Sequence, residues 1–408
     1  MKNTNTQFQI KLPNALLSGI QNCIKDILFE KSYSDKAVSS MLKSHTSWGS
    51  RDRKTATRII YNLTRKYILY KYISELIWDE ELEKTPENEI NLLIFLAMFF
   101  DENPATQIEY SIELETEIKS IQDIPQNIQH SLQSWIYQSI EKDWGEETSK
   151  IIESLDNPAP VYIRYNSLKT TAQKLNYELE KLNTDYEYDT KVGGAIKIKN
   201  ANQLRQSIAF KEGLFEFQDI GSQYILKQAG IHPGQVVVDI CAGKGGKTLQ
   251  ICSLMKNDGR LIASDIDISR LAHLEKRAKK AGIDILEILP NETLISNRNL
   301  MADMVFIDAP CSGIGTFRRQ PDLKFRLEEK SFHSILENQQ NILSDSAHLV
   351  RSKGKIVYAT CSILKSENSE QIEKFLATNP SFQLKHEEYI FPFQFDGVGF
   401  YVAVLEKV

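Results

Sequence analysis

The sequence predicts an all-helical N-terminal region, a small α+β bridge and a doubly wound, mostly parallel α/β domain. Three observations predict it. From about residue 231 short apolar runs alternate strictly with helical segments, whereas before residue 125 apolar residues recur at three- and four-residue spacing. The 408-residue length also exceeds one ordinary core.

In chain order, "LLSGIQNCIKDILF", "RKTATRIIYNLTRKYILYKYISELIW" and "EINLLIFLAMFF" read as helices separated by polar or proline-bearing turns. The apolar run Leu92 to Phe100 is too short to span a bilayer and reads as a buried helix. A mixed bridge follows, in which the extended "PVYIRYN" gives way to an amphipathic helix starting after Lys169. Beyond it, "QVVVDI", "RLIASDI", "IDILEIL", "DMVFIDAP", "KGKIVYATCS" and "GFYVAVLEKV" read as strands, with a long helix expected from Glu328 to Val350. The expected domains are 1–127, 128–212 and 213–408.

Composition is that of an ordinary soluble globular protein, with 41% hydrophobic and 25% charged residues. Met1 to Pro13 lacks the apolar core of a secretory signal, so a cytoplasmic protein without a membrane partner is expected, acting as a monomer. Five widely spaced cysteines without a C-x-x-C pair imply thiols, neither a disulfide framework nor a metal site. The net charge of −5 is unevenly distributed. Seven basic residues stand between Lys43 and Lys66 against Asp52 alone, and thirteen acidic residues stand between Asp79 and Asp123 against Lys84 and Lys119. Such patches steer an anion to one face or are simply solvated helix surfaces.

The stretch "DICAGKGGKTLQ", residues 239–250, ends in Gly-Lys-Thr. A triphosphate-binding loop of the form G-x-x-x-x-G-K-[ST] would need glycine at position 241, where Cys241 stands. Either way, Ala242 to Gly246 makes a tight turn where backbone amides can approach a ligand at a helix N-terminus. Asp265 favours a nucleoside over a triphosphate, because it ends the next strand 26 residues after Asp239, where an acid accepts bonds from ribose hydroxyls. The alternative for Asp265 is a helix N-cap, a part that Asp267 or Ser269 could fill equally well.

Cys311 in "DAPCSGIGTFRRQPDLKFR" and Cys361 in "YATCS" each follow a strand that reads as buried, so a parallel sheet brings both thiols near one crevice. A free cysteine is more often a small core residue, but proline, serine and threonine neighbours place these two in loops. Arg318, Arg319, Lys324 and Arg326, set against Asp322, read as a loop that grips phosphate or as a solvated loop.

"CAGKGGKT", "DAPCSGIGTFRRQPDLKFR" and "YATCSILKSENSEQI" resemble the cofactor loop and the two cysteine motifs of the Sun/Nop2-type RNA cytosine-C5 methyltransferases. The pattern is closest to the type that methylates a cytosine of 16S rRNA in the small ribosomal subunit. "SRDRKTATRIIYNLTRK" resembles the basic helix of that type's NusB-like N-terminal domain. The resemblance covers nearly the whole chain and is most specific over 236–375. It implies a Rossmann-like class I methyltransferase domain with a seven-stranded, mostly parallel sheet, S-adenosyl-L-methionine as cofactor, and RNA as partner. It also implies Cys361 as nucleophile, Cys311 as the residue assisting product release, and Asp308 in contact with cytosine and cofactor. Cys241, Ala242, Gly243, Lys244, Gly245, Gly246, Lys247, Asp265, Asn291 and Asp308 would hold the cofactor, and Arg164, Arg318, Arg319, Lys324 and Arg326 the RNA.

The residue types suit that chemistry. Addition of a thiolate to C6 of cytosine turns the ring into an enamine whose C5 attacks a methyl sulfonium. A thiolate needs nearby positive charge, which Lys247, Arg318 or Lys324 could supply. DNA cytosine methyltransferases use the cysteine of a Pro-Cys pair, which would nominate Cys311; the second cysteine of "YATCS" favours the RNA assignment. Three departures from the family pattern stand out: Gly243-Lys244 in place of Ala-Pro, Asn291 in place of an acid, and the acidic stretch at 79–123. A tRNA substrate, or a non-catalytic RNA-binding assembly factor on the same fold, are the alternatives.

Overall fold

The computed structural model describes residues 8–78, 83–101, 108–199, 201–297 and 299–408, so parts of the acidic 79–123 stretch lie outside the described residues. The chain divides into two compact units. One runs up to Asp156 and takes in Arg319–Leu327; the other comprises Asn157–Arg318 and Glu328–Val408.

The first unit is built on helices Asn14–Leu28, Ser34–Ser44, Ser50–Arg65, Tyr67–Leu76 and Pro86–Phe99. Lys66 breaks the single long helical pattern of the sequence into two helices. Pro86–Phe99 is capped by Thr85, whose side chain accepts from the Asn88 amide, and buries Leu92 through Met98 on all sides. The region is not purely helical: Phe8–Ile10 pairs antiparallel with Ile108–Tyr110. Strands of three residues are too short to show a period, which is why the pattern of the sequence misses them.

In the second unit seven strands form the larger sheet: β1 (Val236–Asp239), β2 (Arg260–Ala263), β3 (Leu286–Ile288), β4 (Ala302–Asp308), β5 (Val350–Thr360), β6 (Phe382–Ile390) and β7 (Phe400–Lys407). Their order is β6-β7-β5-β4-β1-β2-β3. β1 to β5 are mutually parallel, and β7 runs antiparallel to both of its neighbours, β5 and β6. Successive residues alternate between two cores, Val237, Leu261, Phe306 and Val357 on one face and Val238, Ile262, Val305 and Ile356 on the other. Burial on both faces is what gives these strands their continuous apolar runs. β6 lies at the sheet edge, buried only at Phe382 and Ile390 with exposed or half-buried, mostly polar residues between them, so it carries no such run. The long helix is shorter than expected, Glu329–Ala347, because Val350 already enters β5.

A second, four-stranded antiparallel sheet has the order Tyr186–Tyr188, Ala195–Ile198, Val161–Tyr165, Phe215–Phe217. Among the described residues no helix is long and apolar enough to cross a membrane.

Candidate active site

β1 delivers Asp239 into the turn that carries the glycines. Gly243 and Gly245 have φ of +53° and +84°, a region L side chains avoid, and a Cβ on Gly245 would meet Leu274 at 2.2 Å. The turn is cross-braced: the Gly243 amide donates to Asp265 Oδ2 at 2.8 Å, and the Ala242 amide to the Ser264 carbonyl at 2.9 Å. Helix Gly246–Leu254 then starts with its free amides turned toward the space above the sheet.

That space is a cavity of about 430 Å³. The expected cofactor residues Cys241, Ala242, Gly243, Lys244, Gly246, Lys247, Asp265, Asn291 and Asp308 all line it, and Gly245 does not. Asp265 is no N-cap. Asp267 caps helix Ile268–Ala281, while Asp265 accepts the Asp267 amide at 2.8 Å. Asn291 Oδ1 accepts from the Ser264 hydroxyl at 3.4 Å. Asn338, Asn341 and Asp345 of helix Glu329–Ala347 form the opposite wall, which sequence reasoning misses because that helix is distant in the chain.

Asp239 is another residue to which the sequence assigns no site role. It is buried, takes the Thr248 hydroxyl at 2.7 Å on Oδ2, and leaves Oδ1 with no hydrogen-bond partner. Burial pushes its carboxyl up to about 7, against the Thr248 bond. An orphaned carboxylate oxygen lining a cavity suits a ligand with a cationic group. S-adenosylmethionine has two, its amino group and its sulfonium, so the donor set fits it.

Asp308, at the end of β4, is paired with Lys247 Nζ at 2.6 Å. Burial disfavours the Lys247 charge, but Asp308 and Cys361 outweigh it and raise the amine above its ordinary value. Lys247 therefore carries its charge beside Asp308 and within electrostatic reach of Cys361, while Arg318 and Lys324 are engaged elsewhere. The parallel pairing of β4 with β5 sets Asp308 opposite Ala359 and brings the two cysteine loops together. Cys311 Sγ and Cys361 Sγ lie 3.2 Å apart as free thiols. Their hydrogen bond, then burial, raises the Cys311 thiol well above its ordinary value, so Cys311 keeps its proton.

Behind the thiols lies Glu367, fully buried. Its Oε1 accepts the Ser312 amide at 2.7 Å and the Gln339 amide nitrogen at 3.2 Å. Its Oε2 accepts the hydroxyls of Ser312 at 2.6 Å and of Ser362. One carboxylate thus ties together the residues that follow each cysteine. In the sequence it is one acid among many, and only its contacts single it out.

The expected RNA-gripping cations require correction. Arg318 is buried and donates to the carbonyls of Asn157, Gly397 and Pro158 at 2.8, 2.7 and 3.1 Å, with Asp396 at 2.9 Å. Lys324, 1% exposed, is paired with Asp156, and burial draws its amine down to about 8. Arg164 is buried against Gln218 and Ser253. Arg326 donates to the Ser32 carbonyl at 2.6 Å and to the Lys31 carbonyl. Their donors are spent on carbonyls and carboxylates of the protein, a bonding demand that adjacent charges in a sequence do not reveal. Arg319 is partly exposed. Of the basic run at 43–66, Lys43, Arg51 and Lys54 are exposed, whereas Arg53 is bonded to the carbonyls of Trp48, Leu42 and His45.

A parallel sheet with a reversed strand next to its edge, and a nucleoside-sized cavity over the tips of β1 and β2, define an S-adenosylmethionine-dependent methyltransferase. The sequence profile of the 16S rRNA methyltransferase RsmB/F family matches residues 227–403, and that of the RsmF/B-like ferredoxin-like domain matches 132–205. Over these two segments the chain is similar to the RsmB/F family of RNA methyltransferases. It is 26% identical over 404 residues to a probable ribosomal RNA small subunit methyltransferase B of Synechocystis sp., covering 90% of each chain. With the ribosomal RNA small subunit methyltransferase B of Proteus mirabilis it shares 28% over 277 residues, 67% of this chain and 65% of the relative. The crystal structure of PH0851 superposes with a TM-score of 0.81 at 26% identity, over 98% of this chain and 100% of that one. A methyltransferase homologue from Pyrococcus horikoshii has the same fold, with a TM-score of 0.62 at 23% identity over 69% of this chain and 97% of that one.

Proposed function

We propose that the enzyme methylates C5 of a cytosine in small-subunit 16S rRNA through a covalent adduct on Cys361. The observation that carries this reading is the pair of thiols 3.2 Å apart at the tips of neighbouring strands. Methylation at a ring nitrogen or an exocyclic amine has no use for two thiols. The relatives named as small-subunit methyltransferase B direct the substrate choice to 16S rRNA.

When bound, S-adenosylmethionine supplies an electrophilic methyl group on a sulfonium. The protein's residues do the rest. Asp239, Asp265, Asn291 and the glycine turn hold the cofactor. The Cys361 thiolate, with Lys247 as its nearby cation, adds to C6, and the C5–C6 electron pair moves onto C5. Asp308 contacts the base where charge develops near N3 and the amino group. C5 takes the methyl group, a base removes the C5 proton, and the C6–Sγ bond breaks as its electrons return to Cys361. Cys311, still protonated, assists that release by donating to the departing sulfur. A target cytosine in an rRNA loop is already unstacked enough to enter such a crevice.

The test is methylation of 16S rRNA and of tRNA transcripts by purified enzyme, mapped by bisulfite sequencing. One protected cytosine in 16S rRNA, lost in Cys361→Ala with binding of S-adenosylhomocysteine intact, is the expected result. Turnover by Cys361→Ala sinks the nucleophile assignment, and a protected cytosine in tRNA alone sinks the substrate assignment.

A further inference from the structure

The glycine turn is braced from within by Asp265, but its outer tip is held by a residue far along the chain. Arg277, on helix Ile268–Ala281, donates NH1 to the Lys244 carbonyl at 2.5 Å and NH2 to Glu216 Oε2 at 2.7 Å. Glu216 is 5% exposed and lies on Phe215–Phe217, an edge strand of the antiparallel sheet. Lys280 Nζ stands 3.6 Å from its other oxygen. A guanidinium is a rigid plane, so one that bridges two acceptors fixes the distance between them. The turn therefore has an outside anchor, one end on the Lys244 carbonyl and the other on a buried carboxylate of a different sheet.

The turn needs such an anchor. Gly243 and Gly245 on either side of Lys244 both sit at positive φ, the Lys244 side chain points to solvent, and Gly243 and Lys244 line the cavity. Without the anchor those glycines regain conformations in which the amides no longer converge on a ligand.

The geometry points to Arg277 as a positioning residue for cofactor binding, held in place by Glu216. The antiparallel sheet thereby acts on the cofactor turn as well as on whatever else it contacts. The inference rests on the reading of the cavity as the cofactor site.

The experiment measures S-adenosylhomocysteine binding by calorimetry, and kcat and the cofactor KM, for wild type, Arg277→Met and Arg277→Lys. Arg277→Met is expected to weaken S-adenosylhomocysteine and raise the cofactor KM by about tenfold, the loss of one charge-assisted hydrogen bond, with kcat at saturating cofactor within about twofold. Arg277→Lys, which reaches one acceptor but not both, should fall between. If the Glu216 carboxylate, left with Lys280 alone, prevents folding of Arg277→Met, the double variant Arg277→Met/Glu216→Gln removes that charge and is read the same way. Unchanged affinity in a folded variant, or a kcat that falls while KM holds, overturns the positioning role. Failure of wild type to bind S-adenosylhomocysteine overturns the cofactor reading itself.

Discussion

Replacing Glu367 by alanine removes the acceptor shared by the two cysteine loops. Four donors lose it: the Ser312 amide, the Ser312 and Ser362 hydroxyls and the Gln339 side chain. The hydroxyls can turn to other partners and the Gln339 amide keeps its bond to the Pro310 carbonyl at 2.9 Å, but the Ser312 amide has no substitute, and such a buried orphan costs about 1–3 kcal/mol. With the cavity left by the side chain, the loss should be about 3–6 kcal/mol. In a unit of this size that lowers the melting temperature by about 10–15 °C. Glu367→Gln keeps the volume and one acceptor for the fixed donors, while its NH2 can donate to the turned hydroxyls. A fall of only about 2–5 °C is expected for it. The assay is thermal unfolding with S-adenosylhomocysteine binding measured alongside, since Glu367 is not among the residues that line the cavity. Binding should persist while methyl transfer by Glu367→Ala drops by at least tenfold, because Cys311 and Cys361 lose their common support. Burial raises the Glu367 carboxyl above its ordinary value, so the folded protein holds this proton more tightly than the unfolded chain does. Its contribution to stability is then present below the ordinary glutamate range and declines as pH rises toward the raised value, a slope that Glu367→Gln should remove. An alanine variant that melts within a degree of wild type, or a glutamine variant that falls as far, would refute the reasoning.

Three further outcomes follow from the site. Cys311→Ala should accumulate a covalent protein–RNA adduct on denaturing gels in the presence of cofactor, and absence of the adduct from an otherwise cofactor-binding variant removes the release role. Asp239 has its carboxyl raised to about 7, so the negative charge offered to a cationic ligand is present above that pH and lost below it. S-adenosylhomocysteine should bind about tenfold more weakly at pH 6 than at pH 8, and Asp239→Asn should flatten that dependence, both read by calorimetry. Arg318→Ala removes four bonds inside the second unit, three of them to carbonyls. It should lower the melting temperature by about 5 °C or more, and loss of RNA affinity without loss of stability would restore Arg318 to the RNA.

Much of the fold was legible because burial on both faces forces continuous apolar strands, and helices on a core force a 3.6-residue period. Those two patterns located six of the seven strands and, in the first unit, the segments that form Asn14–Leu28, Ser50–Arg65 with Tyr67–Leu76, and Pro86–Phe99, but not Ser34–Ser44. The glycine turn and the two cysteines were also plain, since each requires a particular residue type at a strand end. β6 was not, because an edge strand that buries only its two ends leaves no periodic trace. Nor were the places of Arg164, Arg318 and Lys324, whose charges looked in sequence like those of any surface loop.

By itself, then, the sequence determined six strands of the sheet, the glycine turn and the presence of two thiols, all of which depend on local residue type and short-range period. Only the tertiary structure decided that Glu367 ties together the residues after both thiols, that Asp239 leaves an oxygen free, that Lys247 pairs with Asp308 while Arg318 and Lys324 are spent on other groups, and that Arg277 holds the Lys244 carbonyl. Those facts are distances between residues far apart in the chain. Whether a charge is spent on its own protein or offered to a ligand depends on which carbonyls and carboxylates the fold brings within about 3 Å of it.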